Sequence, residues 1–175
     1  MIMSRTKTAA PSTREVVGEK IDIGIPQVNL KKIADMLNEN LADEYVLLTK
    51  TKKYHWNVMD PRFNDLHKFL DEQYQLLNTA VDEVAERVRQ MGGMTKATLK
   101  EFLASTQIEE DPGTNPNADT MLRNLLTGHE AVIKSLRKNI EECQQLEDEG
   151  TANFLTDKME EHEKMAWMLR SFLVR

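Results

Sequence analysis

Cysteine occurs once, as Cys143, in a chain of 175 residues. One thiol can neither close an intrachain disulfide nor build a cysteine-rich zinc site, so a reducing compartment is the simpler reading. Glycine (seven) and proline (five) are scarce and lie mostly at the ends and in one central stretch. A chain with so few turn residues is expected to form long helices. No apolar run approaches the ~20 residues of a membrane helix. The N-terminal residues also lack the apolar centre of a signal peptide. A cytoplasmic protein with no membrane partner is therefore expected. Basic charge is outweighed as well: 23 Lys and Arg face 29 Asp and Glu, for a net charge of −6. Wrapping nucleic acid requires a net basic surface, whereas an acidic body attracts cations. The length suits one domain, and 40% hydrophobic with 30% charged residues suits a soluble helical protein.

The stretch from His55 to Glu86 is the most informative part of what is present. From Phe63 to Met91 it has neither Gly nor Pro, which predicts one long helix. Two pairs at i,i+4 spacing lie on it, His67 with Asp71 and Asp82 with Glu86. Each pair projects from adjacent turns of one face. Imidazole with carboxylate at this spacing is a transition-metal donor set. The pairs are roughly 16 Å apart along the axis, so one chain cannot bring both to one ion. Yet His67, Asp71, Asp82 and Glu86 fall near about 0°, 40°, 60° and 100° around the helix, on a single stripe. Tyr74, Gln75 and Asn78 fill the stripe between them. A second copy packed antiparallel, about a two-fold axis near residues 76–77, would set His67 and Asp71 against Asp82 and Glu86 of its partner. A two-fold contact is self-complementary in this way. His55 precedes a reversal at residues 58–61, where Pro61 can start the long helix. It can then converge with His67. The expected centre takes His55, His67 and Asp71 from one subunit and Asp82 and Glu86 from the other. The opposite face of the helix is apolar, from Leu66, Phe69 and Leu70 through Leu77, Val81, Val84 and Val88.

These residues carry a resemblance. YHWNV, LHKFLD and DEVAERVRQMGG look like the Dps family, the DNA-protection-during-starvation proteins or miniferritins. The intervals 55–67–71–82–86 match that family's ferroxidase motif residue by residue. The likeness runs from about Ile23 to Leu173 and includes LADEYVLLTKTKKYHWN and HEKMAWMLRSFL. Asp60 stands where the family often has Gly before Pro. The resemblance implies a ferritin-like four-helix bundle in a hollow dodecamer built from dimers. It implies oxidation of Fe(II), preferably by hydrogen peroxide, at a dinuclear Fe(II)/Fe(III) centre formed by the five residues. Zinc is an alternative occupant, and the ferric product is stored. Basic tails in the family can bind DNA, which makes DNA a weak expected partner and a nucleoid association the expected extension of the cytoplasmic reading.

In order along the chain, residues 1–22 read as a flexible tail in which Arg5, Lys7, Arg14 and Lys20 slightly outnumber the acids. Residues 23–175 read as the bundle. Asn29 is the expected cap of a first helix reaching Asn57, with Leu30, Ile33, Leu37, Leu41, Tyr45 and Leu48 inward. Trp56 is read as a packing residue that also walls the metal site from solvent. Gly92–Gly93 stops the second helix. A short helix is expected over about Thr95–Ser105, and residues 109–117 form a loop. A third helix runs from about Asn117 to before Gly150, with Ile140 and Cys143 among its inner residues. Thr151 is the expected cap of a fourth, whose inner residues include Met159 and Leu173.

His129 and His162 lie on apolar stripes. A hairpin pivoting at residue 149 would leave them about seven residues, roughly 10 Å, apart, as separate structural histidines. A ferritin-type site inside one bundle needs Glu-x-x-His on two helices. Lys52, Asn64, Leu126 and Met159 occupy the four positions three residues before a histidine, so that signature is missing. Glu147, Asp148, Glu149 and Asp157 read as a solvated hairpin. In the family this region resembles the lining of three-fold pores through which iron enters, although Asn153 stands where an acid would strengthen the likeness. Two rivals to the ferroxidase reading are a DNA-compacting structural protein with weak iron chemistry and a plain helical interaction module.

Overall fold

The computed structural model describes residues 20–113 and 115–174. Nearly all of the tail, with its expected DNA-contacting arm, lies outside the described residues. Five helices follow: α1 (Gln27–Asn57), α2 (Phe63–Gln90), α3 (Leu99–Ser105), α4 (Ala118–Gln145) and α5 (Glu149–Phe172). Tyr54 meets Asn124 and Asn40 meets Asn139, so α1 and α4 run antiparallel. Arg87 meets Thr151 and Glu83 meets Lys158, so α2 and α5 do too. Two hairpins, α1–α2 and α4–α5, thus pack into a four-helix bundle. The long crossover from α2 to α4 carries α3 against α1. The expected all-α bundle with a short extra helix is what forms. Leu37, Leu47, Leu66, Leu77, Leu125 and Leu155 are among its fully buried side chains.

Helix starts depart from the sequence reading. α1 begins at Gln27 after Pro26, without a side-chain cap. Asn29 is already helical, and its amide donates to the Leu146 carbonyl at 3.4 Å, tying α1 to the α4–α5 turn. α5 is capped by Asp148, whose carboxylate accepts the Thr151 N–H at 2.9 Å. Thr151 instead takes an N–H from Arg87 at 2.9 Å. Asp148 is therefore buried, paired with Arg87 at 3.5 Å, and not part of a solvated acidic run. Pro61 lies two residues ahead of α2, within the turn. There Asp60 accepts the Arg62 N–H at 2.8 Å, an Asx turn that does the work of a turn glycine. Its Arg62 bonds hold the Asp60 carboxyl at about 2. α3 starts only at Leu99, where Thr98 and Glu101 form a reciprocal capping box. Gly92 does stop α2, at φ 81°.

The α4–α5 hairpin turns earlier than expected, with Glu147 at φ 61°. That shift brings His129 and His162 into contact, Nδ1 to Nδ1 at 2.9 Å. His162 Nε2 donates to Glu44 Oε1 at 2.7 Å. Several polar groups are buried where the sequence pattern pointed to apolar ones. Asn139 is buried and Ile140 only half so. Asp43 is also buried, taking the Gln107 N–H at 2.8 Å and so fixing the exit of α3.

His129 makes the fold sensitive to acid. Burial, and then its neighbour His162, holds its pKa well below the usual 6.5. The unfolded chain takes up a proton near about 6.5 that the folded chain refuses. Stability is therefore full above that pH. It should fall by about 1.4 kcal/mol per pH unit below it, until the folded-state pKa is reached. Urea midpoints between pH 7.5 and 5.5 should show this slope in the metal-stripped protein and a shallower one in His129→Gln.

Candidate metal centre

His55 is the last but two residue of α1, and its carbonyl lies among those left free at a helix C-terminus. His67 lies in the second turn of α2. The two residues hold each other. His55 Nδ1 bonds the His67 carbonyl at 2.9 Å, and His67 Nδ1 bonds the His55 carbonyl at 3.0 Å. Their rings stack at 3.8 Å between centroids, 18° from parallel. A carbonyl only accepts, so each Nδ1 carries a proton, and in the neutral ring Nε2 is the free lone pair. This is how a metal-binding imidazole is held, one nitrogen fixed by the backbone and the other free.

More rings complete the arrangement. Phe63 stacks on the open side of His67 at 5.1 Å, and Tyr74 meets His55 edge-on at 5.2 Å. The Tyr74 hydroxyl faces Asp71, whose carboxylate raises its pKa. Phe63 precedes His67 by one turn and Tyr74 follows Asp71 by one turn. That i,i+3/i,i+4 spacing was the available signal for roles the sequence reading left unassigned. The end of α1 is braced by Tyr54. Its hydroxyl donates to Asp111 at 2.8 Å and receives the Asn124 amide at 2.9 Å. Burial pushes its pKa up to about 12.

One chain thus brings His55, His67 and Asp71 into one neighbourhood. It does not bring Asp82 and Glu86 there. Both are exposed further along α2, and among the described residues neither has a hydrogen-bond or ion-pair partner. Nor do three His, Cys, Asp or Glu residues form a metal cluster among the described residues. The surroundings are open and apolar. Trp56 is 71% exposed, Met59 81%, Phe63 48% and Leu76 46%. Trp56 is therefore not packed within its own chain, contrary to the sequence expectation.

Residues 34–175 match the ferritin family, described as a ferritin-like domain. DNA protection during starvation protein 2 of Bacillus anthracis is 38% identical over 143 residues, 82% of this chain and 97% of that protein. The chain is a Dps-type member of the ferritin-like family. A low-temperature-induced protein of Nostoc, itself uncharacterised, is 43% identical over 88% of this chain and 87% of its own. The Dps crystal structure from Vibrio cholerae superposes with a TM-score of 0.83 at 30% identity, covering 87% of this chain and 95% of that one. That structure is described as one of a broad superfamily of ferritin-like diiron-carboxylate proteins. No helix among the described residues is long and apolar enough to cross a membrane.

Proposed function

We propose that two copies of this Dps chain pair through α2 about a two-fold axis near residues 76–77, forming two Fe(II)-oxidising centres. Each centre takes His55, His67 and Asp71 from one subunit and Asp82 and Glu86 from its partner. The reciprocal His55–His67 clasp carries the reading, since it leaves two Nε2 lone pairs free beside a carboxylate. The unpartnered Asp82 and Glu86 on the same stripe, and the exposed Trp56, Met59, Phe63 and Leu76, support it as a surface awaiting a second copy. Iron is the substrate. Imidazole binds Fe(II), and a carboxylate-rich set favours Fe(III).

Two Fe(II) held together give one electron each to hydrogen peroxide. The O–O bond breaks, and with two waters the products are two FeOOH and four protons. No hydroxyl radical is released, because both electrons arrive at one peroxide. Dimers assemble further into a dodecameric shell that stores the ferric product and shields DNA. The acidic body leaves direct DNA binding a minor role.

In the test, Fe(II) is added to metal-free protein without oxygen, then hydrogen peroxide, and ferric absorbance is followed. Fast oxidation is expected, with a loss of at least about 100-fold in His55→Ala/His67→Ala, since even outer-shell changes cost 10–100-fold in metal affinity. Zinc, which takes the same donors, should inhibit. Equal rates in both proteins would exclude the centre and favour the DNA-compacting reading.

A further inference from the structure

The crossover between α2 and α4 folds back along α1 and leaves a cavity of about 210 Å³ against it. Leu99, Phe102 and Leu103, at i,i+3,i+4 spacing, give α3 one apolar face. Tyr45 and Val46 of α1 form the opposite wall. The Tyr45 and Phe102 rings stack at 4.3 Å between centroids, 21° from parallel. Val46 and Phe102 are buried, but Leu99 is 66% and Leu103 49% exposed, so the apolar lining continues out to the mouth. α3 packs on α1 and not on α2, and no α2 residue lines the cavity. The space is therefore separate from the α2 stripe and lies within one chain.

Four charged side chains border the cavity: Lys50, Lys53, Glu110 and Asp111. Two of them already match each other. Lys53 donates to the Asp111 carbonyl and, at 3.0 Å, to the Asp111 carboxylate. The Tyr54 hydroxyl donates to the same carboxylate at 2.8 Å. Glu110 is exposed to solvent. Lys50 differs from all three. It is half-buried, and among the described residues its ammonium has neither a hydrogen bond nor an ion pair. Burial lowers its pKa from 10.5, and Lys53 adds to the lowering, against the longer-range pull of Asp111, Glu109 and Glu110. An ammonium withdrawn from water without a partner carries a cost. An anion placed beside it would remove that cost and favour the charged form.

We propose that this cavity binds a small aromatic monocarboxylate, its ring against Tyr45 and Phe102 and its carboxylate on Lys50. Size, wall and charge each narrow the ligand. An apolar cavity of about 150 Å³ holds one benzene, so the space here admits a ring with a short acidic arm and little more. The stacked Tyr45–Phe102 pair favours a further ring over an alkyl chain, because ring edges and faces attract each other. One unpaired lysine balances one negative charge. A phosphate monoester would bring nearly two, beside Glu110 and Asp111. A cation finds no free carboxylate within, since Lys53 and Tyr54 hold Asp111. An apolar recess with a few convergent polar groups is the common form of a small-molecule site. This one needs neither the α2 pairing nor iron.

The experiment titrates the full-length, assembled protein with phenylacetate and follows the ligand by NMR. Phenylacetamide serves as the neutral probe and phenethylamine as the cationic one. Saturable binding of the acid is expected with a Kd below about 1 mM, within reach of a ligand of about ten heavy atoms. Either control should bind at least about tenfold more weakly. Lys50→Met should weaken the acid about 10–100-fold, the scale of a hydrogen bond to a charged group, and remove its advantage over the amide. Leu103→Trp, at the exposed mouth, should block the acid and the amide alike. No saturable binding to the wild type, equal affinity for acid and amide, or undiminished binding to Lys50→Met overturns the proposal. If Lys50→Met does not fold, the preference for acid over amide decides it. Failure of the acid to bind the wild type, together with a smaller oligomer in Leu103→Gln, would mean that a second copy covers this mouth and would also overturn it.

Discussion

Co-expressing His67→Ala chains with Asp82→Asn chains should restore about a quarter of the wild-type oxidation rate, although each variant alone is inactive. The fraction follows from two-fold symmetry. A centre needs an intact His67 from one subunit and an intact Asp82 from the other. With equal amounts and random pairing, each requirement is met in about half of cases. A mixed pair holds one complete centre and one that lacks both groups. If all ligands came from one chain, mixing would restore nothing, because every chain carries a defect. Zero recovery with properly assembled mixed oligomers would eliminate the shared centre. The exposure of Asp82 and Glu86 and their lack of partners among the described residues make this the sharpest consequence of the structure.

The α2 stripe was legible because helical period alone places residues on a face. Neither the apolar core of α2 nor the line from His67 to Glu86 needed tertiary information. What the period could not provide was anything set by a turn. Asn29 and Thr151 were sound caps by residue type, but Pro26 and Asp148 occupy the actual helix starts. The earlier α4–α5 turn slid one helix along the other and joined His129 to His162. Buried Glu44 and Gln73 were equally illegible. Each sits among polar neighbours on its helix, and only the packing of four helices shows which one faces inward. Trp56 failed for a different reason. An aromatic residue beside His55 should be buried, and its exposure in one chain is what the proposed α2 pairing would explain.

Replacing His162 with leucine should cost the metal-stripped protein about 3–5 kcal/mol, the scale of leaving a buried charge without its partner. Glu44 would remain in the interior at 1% exposure with no donor. Its choices are to hold an unpaired charge or to lose that charge by taking up a proton. Changing Glu44 to leucine as well removes that charge, so the double variant should be more stable than His162→Leu alone. His129 keeps both nitrogens unpaired in both variants, so it does not set the difference. Urea unfolding of the four proteins at pH 7.5 gives the coupling directly. Additive losses would mean that side-chain volume, and not the buried carboxylate, governs this layer. A double variant that recovers stability would show that Glu44 and His162 are kept at a cost to the fold.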